Sequence, residues 1–355
     1  MSHDERIADL LNSVRPTDSI AEERAWQRLD SLTKPPRSLG RLEQLAARVA
    51  RVQNATHPDV SRKMIVLAAA DHGVVAEGVS PYPQDVTWQM VANITSGGAA
   101  INQIAQSVDA GLHVVDVGVA RDISDIGNVQ HSKIASGTQN MMCGPAMSAE
   151  ETARALLLGA DIAAEIVSEG ITLIGTGEMG IGNTTAAAAL AAAYMDCDPT
   201  AVVGAGTGLD ADGVAHKAQV IEESLRVNAT AEKDALGILA SVGGLEIATL
   251  AGVMIGAAAK RTCVVSDGFI SGVAALTAVR LCPVSAGYIF PSHLSVEPGH
   301  RLVLDALGLE PVLELDMRLG EGTGAALAMG IIDSACRMMT GMATFAEAGV
   351  SEETG

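Results

Sequence analysis

Short runs of consecutive apolar residues alternate along this chain with longer segments whose apolar positions recur every three or four residues. Between residues 5 and 54 the spacing is helical throughout. Ala21 to Leu32 is charged and amphipathic, Lys34-Pro35-Pro36-Arg37-Ser38-Leu39-Gly40 breaks the pattern, and Arg41 to Val52 resumes it. This opening region lacks strands and reads as a helical subdomain. From residue 63 the pattern changes. Met64 to Ala70 is a buried strand entering a loop at Asp71-His72-Gly73. Gln84 to Gln106 reads as one helix, Leu112 to Gly118 as a second strand, Glu150 to Ser168 as a helix and Ile171 to Gly175 as a third strand. Ala201 to Gly204 and Thr262 to Ser266 are further strand candidates, and Thr340 to Gly355 reads as helix followed by a frayed acidic tail.

Strands apolar on both faces and alternating with helices predict an α/β fold with a parallel sheet and right-handed crossovers. Ligands of such sheets bind beyond the carboxyl ends of the strands. The glycine-rich segments follow the apolar runs, so they should converge on that edge.

Composition narrows the picture. Hydrophobic residues are 48% of the 355 and aromatics only 2%, so the core is built from Ala, Val, Ile, Leu and Met, which suits close helix–sheet packing. This length allows about two domains and needs no metal or disulfide staple. A net charge of −19 argues against nucleic acid and anionic membranes as partners. A phosphate ligand would need local positive potential from helix N-termini and one or two basic residues. The five cysteines are far apart without a CxxC, which predicts free thiols in a reducing cytoplasm. The acidic start is no signal peptide, and the apolar stretches are too short to span a bilayer.

Candidate chemistry sits in the glycine turns. Gly175-Thr176-Gly177-Glu178-Met179-Gly180-Ile181-Gly182-Asn183-Thr184-Thr185 follows a strand and opens an alanine-rich helix. Gly180, Gly182, Asn183 and Thr184 would offer donors to an anion there. No Walker lysine follows, and the dinucleotide fingerprint is imperfect. Arg318-Leu319-Gly320-Glu321-Gly322-Thr323-Gly324 is a second such turn, but with a carboxylate at its centre. Glu321 reads either as a general base facing a ligand or as an acid stabilised by a helix dipole. Glu178 is a second acid among glycines. Val203 to Asp210 is a third glycine turn, containing Gly206, with Lys217 on the helix after it: a counter-charge for phosphate, or a surface lysine. Asp267, ahead of Gly268, either binds ribose hydroxyls or caps a turn. Tyr82, between Pro81 and Pro83 and near Gln89, is either a wall for a flat ring or a loop residue packed on its own domain. His72, His293 and His300 have no metal-ligand spacing and read as structural.

Together these stretches resemble the nicotinate-nucleotide:dimethylbenzimidazole phosphoribosyltransferase family of cobalamin synthesis. The matching segments are Lys34 to Gly40, Ala70 to Val74, Ser80 to Gln84, Gly177 to Thr185, Gly204 to Asp210, Ser266 to Phe269, Ser292 to His300 and Arg318 to Gly324. Any one glycine turn is weak; their order and spacing are specific.

The resemblance implies a large Rossmann-like domain (61–324) and a small helical domain from both chain ends (1–60 with 325–355). It also implies a homodimer in which the partner's small domain helps close the site. Glu321 takes the family's base position and Glu178 that of its second acid. Pro81, Tyr82, Gln89, Met179 and Leu319 fall on the benzimidazole pocket, with Met179 where Leu is expected in many members, a volume-conserving change. Gly180, Ile181, Gly182, Asn183, Thr184, Gly206, Lys217, Asp267, Gly268 and Ser295 fall on the nucleotide site. The implied reaction moves phosphoribose from nicotinate mononucleotide to 5,6-dimethylbenzimidazole. No pyrophosphate leaves, so no metal or cofactor is expected. The alternatives are another nucleotide-binding α/β enzyme and a related transferase using a different base.

Overall fold

The computed structural model describes residues 1–206 and 208–351. Helices α1 (His3–Ser13), α2 (Ser19–Ser31) and α3 (Arg41–Gln53) precede the first strand. Eight strands follow: β1 (Lys63–Ala70), β2 (Ala110–Gly118), β3 (Val129–His131), β4 (Leu173–Met179), β5 (Cys263–Ser266), β6 (Ile289–Pro291), β7 (His293–Leu294) and β8 (Leu313–Glu314). Between and after them lie α4 (Val86–Thr95), α5 (Ala100–Ser107), α6 (Ala149–Ser168), α7 (Asn183–Met195), α8 (Ala211–Val227), α9 (Ala235–Val242), α10 (Leu245–Ala259), α11 (Phe269–Leu281), α12 (Pro298–Leu307), α13 (Thr323–Gly341) and α14 (Phe345–Ala348).

Strands β1 to β6 form one parallel sheet in the order β3-β2-β1-β4-β5-β6, and β7 pairs with β8. This is the doubly wound arrangement, whose strand order reverses between β1 and β4. The central strands are apolar on both faces because helices cover both. The scarcity of bulky side chains lets helices approach closely. Helix α6 lies against α10 so tightly that a β-carbon on Gly159 would strike the Thr249 carbonyl, and one on Gly252 the Leu156 carbonyl.

A second apolar cluster joins α2 and α3 to the latter half of α13 through Ala25, Leu29, Ala46, Ala50, Ala335 and Met339. Helix α13 also enters the main core with Ala325, Met329 and Ile332. Helix α1 does not join that second cluster; Ile7 packs into the main core against α6 and α10.

Four sequence expectations change. The segment Gln84 to Gln106 is two helices, because Ser96-Gly97-Gly98 breaks it with Gly97 at φ +83°. Ala201 to Gly204 is not a strand; a single 3-10 turn, Pro199–Ala201, precedes the third glycine turn, which therefore links α7 to α8. The third strand begins later and runs to Met179, so Glu178 belongs to a strand rather than to the turn beyond it. The helix expected from Thr340 is only the last turn of α13, which ends at Gly341, and the four-residue α14, and of the tail only residues up to 351 are described. Among the described residues no helix is long and apolar enough to cross a membrane.

Candidate active site

The site lies at the carboxyl ends of β1, β4 and β5. Strand β4 carries glycine at alternate positions, and Gly177 has a specific reason. A β-carbon there would stand 2.6 Å from the backbone oxygen of Glu321, so only glycine lets the Glu321 turn rest on the strand. The next residue, Glu178, is buried against that turn, since a β-carbon on Gly320 would collide with its Oε1. The two acids expected from sequence are therefore brought close together, near enough for the charge of Glu321 to act on Glu178.

The turn holding Glu321 is unusual backbone. Gly320, Glu321 and Gly322 all have positive φ, at +83°, +63° and +88°. For Glu321 this costs about 1–2 kcal/mol relative to right-handed backbone. Asp267, at the end of β5, offsets the strain. Its Oδ2 accepts the Gly322 N–H at 3.0 Å, and its Oδ1 accepts those of Gly324 at 2.7 Å and Ala325 at 3.0 Å. These are the orphan donors of the α13 N-terminus. Burial pushes the Asp267 carboxyl up to about 7 against these N–H groups, which favour its charged form. Asp267 thus caps the Glu321 turn, one of the two roles its position after a strand left open.

The Glu321 side chain is only 5% exposed, and its Oε2 has no partner among the described residues. Burial raises its pKa, opposed by the Ile101 N–H in the first turn of α5. The helix break at Gly97-Gly98 is what brings that N-terminus here. A buried carboxylate with one uncommitted oxygen and a raised pKa can take a proton. Glu178 is held near 8, chiefly by burial, then by the charges of Asp267 and Glu246. Its Oε2 accepts from Asn183 Nδ2 at 2.5 Å.

Lys217 of α8 is 1% exposed and is not the surface lysine that the sequence left open. Its Nζ donates to Thr184 Oγ1 at 2.8 Å, leaving the Thr184 O–H able to donate elsewhere. Burial lowers the Lys217 pKa to about 8, with Glu297 opposing the shift. Gly206, at φ +55°, lies over this pair, and Arg318 donates to its carbonyl at 3.0 Å. Gly268 and buried Ser295 line a narrow cleft with Glu178, Glu297 and Leu319.

Other expected nucleotide contacts do internal work. Gly182 is the N-cap of α7 at φ +92°. Ile181 is buried, and its N–H goes to Thr87 Oγ1 of α4 at 3.0 Å, while the Asn183 N–H goes to the Gly180 carbonyl. On the base side, Met179 ends β4 and is partly exposed; Pro81 and Gln89 are exposed, Tyr82 is 49% exposed and Leu319 57%.

Thr87, Glu297 and Arg318 were not singled out from sequence. Glu297 had a signal: it lies within the quoted Ser292 to His300 stretch, of which only Ser295 was placed on the nucleotide site. Deeper in the fold His72 pairs with Glu246 at 2.8 Å, both buried. Burial disfavours the imidazolium, but the Glu246 charge and hydrogen bond outweigh it, so the His72 pKa is raised. His293 and His300 are held neutral by burial, down to about 4 and about 3. No cluster of His, Cys, Asp and Glu suited to a metal occurs among the described residues.

Comparison with known proteins supplies separate evidence. A family profile described as a phosphoribosyltransferase matches residues 14–350. A nicotinate-nucleotide–dimethylbenzimidazole phosphoribosyltransferase of Geobacter metallireducens is 48% identical over 346 residues, covering 98% of each chain. The enzyme of the same name from Geobacter sulfurreducens is 49% identical over 346 residues, again 98% of each. The crystal structure of CobT from Thermus thermophilus superposes with a TM-score of 0.90 at 47% identity, covering 94% of this chain and 100% of that one. With two buried acids at the switch point of a doubly wound sheet and similarity along nearly its whole length, the chain belongs to the nicotinate-nucleotide–dimethylbenzimidazole phosphoribosyltransferase family.

Proposed function

We propose that this pentosyltransferase moves the 5-phosphoribosyl group of nicotinate mononucleotide to 5,6-dimethylbenzimidazole, giving α-ribazole 5′-phosphate and nicotinate for the nucleotide loop of cobalamin. The observation that supports the reading is the pair of buried carboxylates, Glu178 and Glu321, together with buried Lys217 and its partner Thr184 at the start of α7. The bond between C1′ and the pyridinium nitrogen breaks, and its electron pair neutralises the departing ring. A benzimidazole nitrogen bonds C1′ from the opposite face, inverting β to α. The proton on its other nitrogen passes to Glu321. That proton must leave, because the alkylated ring would otherwise stay cationic, and a buried carboxylate suits the task. Glu178 stabilises the positive charge that grows at C1′. Lys217 and Thr184 hold the 5′-phosphate, and Met179, Leu319, Pro81, Tyr82 and Gln89 hold the flat base against the nucleotide.

Two predictions test these roles. Glu178, with its pKa raised to about 8, is mostly protonated at pH 7. A pyridinium cation beside it lowers its pKa. Binding of nicotinate mononucleotide at pH 7 should therefore release a proton, visible as a calorimetric enthalpy that varies with buffer ionisation. In Glu178→Gln that dependence should vanish; if it persists, Glu178 does not face the pyridinium. Lys217→Ala should raise KM for the nucleotide about 10- to 100-fold, the loss of a charged hydrogen bond of about 1.5–3 kcal/mol. Since the Lys217 ammonium is lost as pH rises through about 8, the same KM should climb above that pH in the unaltered enzyme.

A homodimer and a cytoplasmic setting belong to the same reading, as does a small unit built from both chain ends. All five cysteines are unpaired, as a reducing compartment would leave them. Light scattering that returned the mass of one chain would remove the dimer. The rival reading, another nucleotide enzyme on this fold, would be supported by binding of NAD or ATP without affinity for nicotinate mononucleotide.

A further inference from the structure

Glu297 immediately precedes α12, yet its carboxylate does not cap that helix. It turns instead into the third glycine turn. Its Oε1 accepts the Gly206 N–H at 3.0 Å. Its Oε2 is buried, has no hydrogen-bond partner among the described residues, and presses on Gly204, where a β-carbon would collide with it. The acid is itself fixed from behind. The Glu297 N–H meets Ser295 Oγ at 3.4 Å, and the Ser295 N–H is taken by His300 Nδ1 at 2.9 Å, a nitrogen that burial keeps unprotonated. The seated turn lies directly on the phosphate-binding pair. A β-carbon on Gly206 would stand 3.0 Å from Thr184 Oγ1 and 3.4 Å from Lys217 Nζ.

A buried carboxylate without a full set of donors is costly and needs a reason. Other groups around Lys217 supply no negative charge. Thr184 of α7 is neutral, Arg318 reaches the Gly206 carbonyl, and His216 is engaged with the Glu77 carbonyl at 2.7 Å. Among the described residues, Glu297 alone opposes the desolvation that disfavours the charged lysine.

We propose that Glu297 is the positioning residue of the phosphate cradle, seating the Gly204–Gly206 turn over Lys217 and Thr184 and setting a carboxylate behind it. It does not touch the reacting atoms, so its effect should fall on nucleotide affinity and not on the chemical step. This rests on the assignment of Lys217 and Thr184 to the 5′-phosphate.

The test measures KM for nicotinate mononucleotide, KM for dimethylbenzimidazole and kcat between pH 6.5 and 9 for Glu297→Gln and Glu297→Ala. The glutamine keeps an acceptor for Gly206 and loses only the charge. The rise of nucleotide KM with pH should then start about one pH unit lower, with kcat and the benzimidazole KM within twofold of the unaltered enzyme. The alanine should add an increase in nucleotide KM of about tenfold or more at every pH. If the alanine variant does not fold, the displaced pH limb of the isosteric glutamine decides alone. Nucleotide KM unchanged across the pH range in Glu297→Gln, or a fall in kcat at constant KM, would overturn the proposal. A Lys217→Ala enzyme that binds the nucleotide normally would instead remove the phosphate assignment, and this inference with it.

Discussion

Replacing Glu321 by Gln is expected to lower kcat by about 10²- to 10⁴-fold, the usual contribution of a positioned general base. Affinity for nicotinate mononucleotide should change less than about threefold, because the phosphate is assigned to the Lys217–Thr184 pair and not to Glu321. Glutamine has the shape of glutamate and cannot take the benzimidazole proton. The buried Oε2 that has no partner here becomes an amide group or a neutral oxygen, so folding should suffer little. Single-turnover rates with pre-bound nucleotide isolate the step. Turnover equal to that of the unaltered protein would remove Glu321 as the base.

Asp267→Ala should be as damaging by a different route. Three backbone N–H groups of the Glu321 turn and α13 lose their acceptor in a buried place. Loss of a helix cap and desolvated donors together cost about 2–4 kcal/mol. Nothing then offsets the left-handed backbone of Glu321. The turn should relax, and a shift of about 1 Å in a catalytic group costs roughly 10²-fold in rate. The expected result is a lowered Tm together with a kcat loss approaching that of Glu321→Gln. A normal kcat in the folded fraction would show that the turn holds its shape without Asp267.

The two carboxylates were legible before any coordinates because glycines bracket them, and a charged residue among glycines in an apolar chain has few innocuous explanations. Their relation was less visible. The sequence pattern ended β4 at Gly175, since glycines and threonine look like a turn. The strand continues to Met179 because Gly177 must admit the Glu321 backbone from above. The same tertiary cause lies behind Asp267. Its position after a strand left a ribose ligand and a turn cap equally open, and the partners it has are N–H groups at the start of a helix more than fifty residues later. Local spacing cannot report such a long-range cap. Glu297 escaped notice for a like reason: the turn it seats is remote in sequence, and only the folded chain shows one carboxylate serving both Gly206 and Lys217. Lys217 could not be told from a surface lysine, because its burial depends on how α7 and the third glycine turn cover α8.

The most direct measurement is of the reaction itself. The purified protein should be incubated with nicotinate mononucleotide and 5,6-dimethylbenzimidazole in chelator-treated buffer, with nicotinate followed by chromatography and the product's anomeric configuration by NMR. The account predicts stoichiometric nicotinate release, dependent on the benzimidazole, and a product with the α-glycosidic linkage. Folded protein that releases no nicotinate, or that yields the β-anomer, would contradict in-line transfer at the Glu178–Glu321 site.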